Sequence, residues 1–367
     1  MNTGMRFLAA VCALAVLGCE SPVDPVPLRA PLTELPADLA AIPFAAQGRT
    51  SAPYIMLEIR QVGGFSGFVI VNGYGQPVWF FRANNPFSFT QRSNGNFVFL
   101  DSDRGLIEVN VDGQIVRELP QEPRPGRRIH HDILATERNT VLLVAEDWQM
   151  WRDTLLNGEA IWEWSPESGT VQKRWSALDH LDPALDWGPQ SVRTNWLHAN
   201  AISRGPHGNT VMSLRARDQV ISIAPNLQSI EWKLGGAAAT LPVDDPFSGQ
   251  HTAAEISPGR VLLFDNGFAR TTEPYSRAAE YQITGQRARK VWEWRPTQDN
   301  WARLMSSARR LPNGNTLVGF GRARNQQEGS TGPIEVYEVT NAGTVVWHLM
   351  VGGTVNSIYR ATPLFRF

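Results

Sequence analysis

From Ser51 onward, short apolar runs alternate with tight polar turns. Runs such as Phe97-Val98-Phe99-Leu100, Val141-Leu142-Leu143-Val144 and Val261-Leu262-Leu263-Phe264 have the length and side chains of strands. They follow the turn signals Ser93-Asn94-Gly95-Asn96, Glu137-Arg138-Asn139, Pro206-His207-Gly208-Asn209, Ser257-Pro258-Gly259 and Pro312-Asn313-Gly314-Asn315. Turns of this kind join hairpin strands. A second hairpin in the repeats carries Trp, as in Ile161-Trp162-Glu163-Trp164 with Trp175, Ile230-Glu231-Trp232, Val291-Trp292-Glu293-Trp294 and Val345-Val346-Trp347. Four strands recurring every 45 to 65 residues or so, roughly, are the signature of β-propeller blades.

Five copies are visible, and the ends supply a sixth. Residues 54–81 hold only three strands, near Tyr54 to Ile59, Phe68 to Val71 and Pro77 to Phe81, while Ile358 to Phe365 reads as a lone first strand. Pairing them predicts an all-β, six-bladed β-propeller over residues 51–367, closed by N- and C-terminal strands in one blade, with no exposed sheet edge.

Composition agrees. The chain is 42% hydrophobic with 31 Gly, 25 Pro and 13 Trp, enough apolar material for a core and many turn formers. Its 34 Lys+Arg against 35 Asp+Glu argue against a nucleic-acid partner held by phosphate contacts. The two cysteines, Cys12 and Cys19, leave the folded body without a thiolate site or disulfide framework.

Both cysteines fall in a targeting segment. Arg6 precedes an uncharged, mostly apolar run from Phe7 to Leu17, shorter than the roughly twenty residues of a membrane span. Val16-Leu17-Gly18-Cys19 resembles the lipobox of bacterial lipoproteins, which implies a signal peptide at 1–18 and a lipidated Cys19. The Pro-rich stretch 19–50 then reads as an extended tether. The expectation is an exported protein, lipid-anchored through Cys19 to the membrane of the bacterial cell envelope and facing the periplasm or the cell exterior.

Loop lengths predict which rim works. The segments 82–92, 120–130, 146–159, 176–197, 236–250, 266–277, 295–303 and 320–332 are long and fall on one rim, whereas the opposite turns are short. Counting back from the turn of each repeat places His131, His198 and His251 at the same site of three successive blades, at the start of the innermost strand. Two other repeats have Phe87 and Ser306 there, so the blade itself does not require histidine. The three imidazoles are expected to converge on the channel mouth. His131 is preferred over its neighbour His130 as the inward group on blade register, with His130 kept as a substrate-binding candidate. Arg215, ending a strand on that rim, offers a planar fork for an oxyanion, and Arg217 is equally placed by distance. Asn200 shares a face with His198, while Asp265 and Asn266 end a strand in the neighbouring blade.

Three function classes fit these residues: group transfer through a histidine, metal-dependent hydrolysis with the three histidines and Asp265 around a cation, and a non-catalytic envelope scaffold or binding propeller. A guanidinium beside the site disfavours the metal.

The motifs His130-His131-Asp132-Ile133, Trp196-Leu197-His198-Ala199-Asn200, Ser213-Leu214-Arg215, Gly249-Gln250-His251-Thr252, Phe264-Asp265-Asn266-Gly267, Ser276-Arg277 with Glu280-Tyr281, and Tyr359-Arg360-Ala361 together resemble the bacterial arylsulfate sulfotransferases. That resemblance implies a six-bladed propeller that moves a sulfuryl group from a phenolic sulfate ester to another phenol, with no cofactor, metal or nucleotide sulfate donor. It assigns His251 as the covalent carrier, and His131, His198, Asn200 and Arg215 to the sulfate oxygens or the phenol proton. Two features depart from the family: the cysteine pair some members use is missing, and Ala216-Arg217-Asp218 replaces a more usual uncharged run.

Overall fold

A four-stranded antiparallel sheet has two faces to bury, and stacking six of them around an axis covers both. The computed structural model describes residues 28–123, 126–322, 333–353, 355 and 357–367. Its sheets form that ring. In five blades the strands run in chain order from the axis outward, starting with Pro86–Gln91, Ile129–Ala135, Ala199–Arg204, His251–Ser257 and Ser307–Arg310. In the closing blade Ser357–Leu364 is innermost and is followed outward by Tyr54–Arg60, Gly67–Asn72 and Pro77–Arg82. The first pair runs antiparallel from Tyr54 opposite Leu364 to Arg60 opposite Ser357, as the sequence led us to expect.

The core is divided into six apolar wedges, one between each pair of neighbouring blades. Alternate residues of one strand therefore serve two wedges, which explains why strands such as Phe97–Asp101 and Gly105–Val109 are buried at every position. Trp164, Trp175, Trp294 and Trp347 are buried in these wedges. Among the described residues no helix is long and apolar enough to cross a membrane.

Three segments depart from the sequence reading. The tether expected over 19–50 is already folded in its second half: Ala37–Ala40 is a helical turn and Phe44–Gly48 is a strand. That strand pairs with Val345–Val351 as a fifth strand, while Leu39 and Ile42 join the adjacent wedge. An outermost strand leaves N–H and C=O groups unpaired, and this segment satisfies them. Residues 1–27, including the expected signal peptide and Cys19, lie outside the described residues. The loop expected at 146–159 is a long hairpin, with Val141–Trp151 and Thr154–Ser165 paired down to Trp151 opposite Thr154. The segment 82–92 contains the innermost strand Pro86–Gln91.

At the channel mouth the innermost strands are kinked. The register against the second strand slips around Phe87, between Ile129 and Ile133, at Asn200, between His251 and Ala254, and between Ile358 and Ala361. A bulge adds an unpaired residue and re-aims a side chain. His131, His198, Thr252 and Met305 have φ between 51° and 62°, a conformation that costs a non-glycine residue about 1 kcal/mol or more. Such strain concentrated on one rim marks where the ring is shaped for something other than packing.

Candidate active site

The bulges bring the three histidines together. The ring centroids of His131 and His198 are 4.7 Å apart. Tyr359 lies 6.2 Å from His131 and 6.4 Å from His251, bridging the gap between them. Phe87 completes the wall, 5.3 Å from His131 and 5.0 Å from Tyr359. Arg215 opens a short 3-10 turn, Arg215–Arg217, directly after the strand Thr210–Leu214, and its N–H donates to the His198 carbonyl at 3.1 Å. Its guanidinium stacks over Phe268 at 5.1 Å, and no carboxylate among the described residues pairs with it. Asp218 offsets its charge from beyond ion-pair distance, so the buried fork itself is left for an anion to complete.

Hydrogen bonds give each imidazole a different face to the pocket. His251 Nδ1 sits between two acceptors, Asn266 Oδ1 at 2.8 Å and the Gly249 carbonyl at 3.1 Å. The Asn266 amide cannot reverse without loss, because its Nδ2 donates to the carbonyls of Ala302 (2.6 Å) and Met305 (3.1 Å). His251 therefore carries its proton on Nδ1 and keeps a lone pair on Nε2, which receives the Met305 N–H at 3.2 Å. His198 is the reverse: Asn195 Nδ2 donates to its Nδ1 at 2.6 Å, so Nε2 holds the proton. His131 Nδ1 lies 2.8 Å from His130 Nδ1, and His130 Nε2 lies 2.9 Å from a carboxylate oxygen of buried Glu159. The other Glu159 oxygen accepts the Ala199 N–H at 3.0 Å, next to His198.

Burial and neighbouring cations keep the trio neutral. His251 is pushed down to about 3, by burial first and then by Arg215. His131 and His198 are also held well below 6.5, by burial and then by His198 and Arg215 respectively. The unfolded chain binds protons on these groups below pH 6.5 and the folded one does not, so stability should fall as the pH drops from 6.5 toward the folded values. The slope is about 1.4 kcal/mol per pH unit for each imidazole that stays neutral. Thermal melts at pH 7.5 and 5.0 check this: His198→Asn should lose less stability across that interval than the parent, and equal losses would contradict it.

Not every candidate joins the pocket. Arg217 leaves the 3-10 turn in another direction and is spent on Asp186 at 2.7 Å and the Ala237 carbonyl at 2.9 Å. Asp265 is a structural clamp, bonded to Arg270 and Arg277 and to the N–H groups of Ser248 and Gly267. The carboxylate that the metal alternative required is therefore committed elsewhere. Asn200 is fully buried and donates to the Gln250 carbonyl at 2.7 Å, positioning the segment that carries His251. His131 is the one of the pair in contact with His198, Phe87 and Tyr359, while His130 lies between His131 and Glu159. Glu159, Asn195 and the Met305 N–H escaped sequence reasoning. Only Glu159 left a signal, as a carboxylate inside the run Gly158-Glu159-Ala160-Ile161.

Fold and site together define a six-bladed propeller whose channel mouth is lined by three neutral imidazoles and the Arg215 guanidinium. The model of the Arylsulfotransferase (ASST) family matches residues 46–360, and the chain belongs to that family. No curated protein matches. Among solved structures, virginiamycin B lyase from Staphylococcus aureus aligns with a TM-score of 0.40 at 11% identity, covering 83% of this chain and 73% of the other. A streptogramin B lyase aligns with a TM-score of 0.40 at 11% identity, covering 83% and 72%.

Proposed function

We propose that the protein transfers a sulfuryl group from an aryl sulfate to a phenol in two steps, through a sulfated His251. In the first step the His251 Nε2 lone pair gives up the Met305 N–H and forms a bond to sulfur as the S–O(aryl) bond breaks, and the departing phenolate takes a proton from His131. In the second, an acceptor phenol gives up its proton, attacks the same sulfur and restores the free imidazole. The Nδ1–H of the sulfated ring stays bonded to Asn266 and Gly249, which stabilise the positive charge the ring acquires. Arg215 and the His198 Nε2–H supply donors for the sulfuryl oxygens. The observation that carries this reading is the convergence of a lone-pair imidazole, a donor imidazole and an unpaired guanidinium at one mouth.

His131 is the proton carrier in this scheme, backed by His130 and Glu159. The Glu159 carboxylate lies 2.9 Å from His130 Nε2 without an in-line hydrogen bond and acts on it through charge; with the proton on His130 Nε2, His130 accepts from His131 and leaves His131 Nε2 basic, and a second proton on His130 reverses the bond and makes His131 Nε2–H an acid. One shift along the pair thus serves both steps. Glu159→Gln should slow transfer from sulfates of weakly acidic phenols by about 10- to 100-fold and change little for 4-nitrophenyl sulfate, whose phenolate leaves without help. Equal losses across leaving groups would remove the relay.

The reading is tested by mixing the protein with 4-nitrophenyl sulfate without acceptor, mapping the modified peptide, and then adding phenol. Sulfation at His251 that phenol discharges supports it; direct transfer without modified protein overturns it. We further infer that lipidation at Cys19 holds the domain on the envelope membrane outside the cytoplasm, which metabolic labelling with a fatty acid in Cys19→Ser checks.

A further inference from the structure

Below the histidines the channel continues as a cavity of about 300 Å³, lined among others by Ser88, Thr90, Asp132, Arg309, Arg360 and Thr362. Its ceiling is a ring of satisfied groups. The Tyr359 hydroxyl donates to the Asn200 carbonyl at 3.1 Å, and Arg360 donates to the same carbonyl and to Asp132, both at 2.7 Å. Asp132 has no capacity left: it also accepts from Ser88 Oγ (2.6 Å) and from the N–H groups of Ile133 (3.0 Å) and Ile202 (2.8 Å). The Asp132–Arg360 pair is therefore neutral, with only Arg360 Nε left unbonded.

Arg309 has no such arrangement. It projects half-buried from the innermost strand Ser307–Arg310, lines the cavity, and among the described residues has neither an ion-paired carboxylate nor a hydrogen-bond acceptor, with Nε unbonded. Burial and nearby Arg360 lower it only to about 10, so it is charged at neutral pH. The remaining acid close enough to matter is Glu58, which burial pushes up to about 8, so it is protonated there and supplies no counter-charge. Thr90 Oγ1 accepts the Ala135 N–H at 2.9 Å, which leaves its own O–H to donate into the cavity. A charged guanidinium half-buried on the wall of a narrow channel, with hydroxyls around it and space beside it, attracts an anion more strongly than a surface arginine does.

We propose that the channel holds a second anion site, centred on Arg309 and distinct from the Arg215 pocket, that takes a small inorganic oxyanion of the sulfate or phosphate class. The bound ion ties together the strands carrying Thr90, Arg309 and Thr362, which belong to three blades. This inference does not depend on the transfer reaction. The test is calorimetric titration of inorganic sulfate into the parent, Arg215→Gln, Arg309→Gln and the double variant. Arg215→Gln should still take up one sulfate, and the double variant none. Arg309→Gln removes an unpaired charge and should melt no lower than the parent in buffer without oxyanion. Failure of Arg215→Gln to bind sulfate, or saturable binding that survives in the double variant, overturns the proposal. Selenate-soaked crystals give a second readout, with an anomalous peak beside Arg309 expected and its absence counting against the site.

Discussion

His251→Ala should lower transfer by at least about 10⁴-fold, because a group that forms the covalent bond has no substitute. The parent and variant would be compared by initial rates with one aryl sulfate and one phenol, and by intact mass after donor alone. The alanine protein should gain no sulfuryl mass. Folding is not the confounder here, since the ring's Nδ1 partners, Asn266 and the Gly249 carbonyl, are held by other bonds: Asn266 by Ala302 and Met305, and Gly249 by its own N–H to Asp218 at 2.7 Å. Asn266→Leu is the companion variant. It keeps the imidazole but leaves its Nδ1–H only the Gly249 carbonyl, and a partial loss there beside a complete loss in His251→Ala separates orientation from bond formation. Retained turnover in His251→Ala would end the covalent scheme.

Arg215→Gln should cost about 10² to 10³ in kcat/KM, the size expected when one donor to a developing charge is lost. Two further effects distinguish this from general damage. His198 and His251 are both held down in part by Arg215, so removing its charge lets each take a proton more readily. The acid limb of the rate profile should then move to higher pH in the variant, because protonating His251 removes the lone pair that attacks. Lysine at 215 should recover charge but not the planar fork, restoring the profile more than the rate. A variant with normal kcat/KM would mean that the unpaired guanidinium serves another anion.

Much of this was legible in the chain because propeller blades are built from local hairpins. Turn glycines and asparagines sit beside the strands they join, so the repeat, the closing role of 358–365 and the common level of His131, His198 and His251 could be read by counting. The bulges could not, since a register slip belongs to a pair of strands. Without it the alternation rule left Arg215 and Arg217 on one face, whereas the 3-10 turn sends them apart, one to the pocket and one to Asp186. Strand Phe44–Gly48 was hidden for a related reason: its partner, Val345–Val351, lies some three hundred positions away and no short-range pattern announces the pairing. Asp265 and Asn266 are neighbours in sequence, yet one clamps arginines and the other orients His251. Only three-dimensional packing separates those roles.

The floor of the histidine pocket is made by Tyr359 and Arg360, on a strand translated after the five blades it seals. A chain still being synthesised can thus possess every imidazole and still lack the base on which they rest. Competence arrives in one late event, when the strand Ser357–Leu364 meets Tyr54–Arg60 and closes the ring.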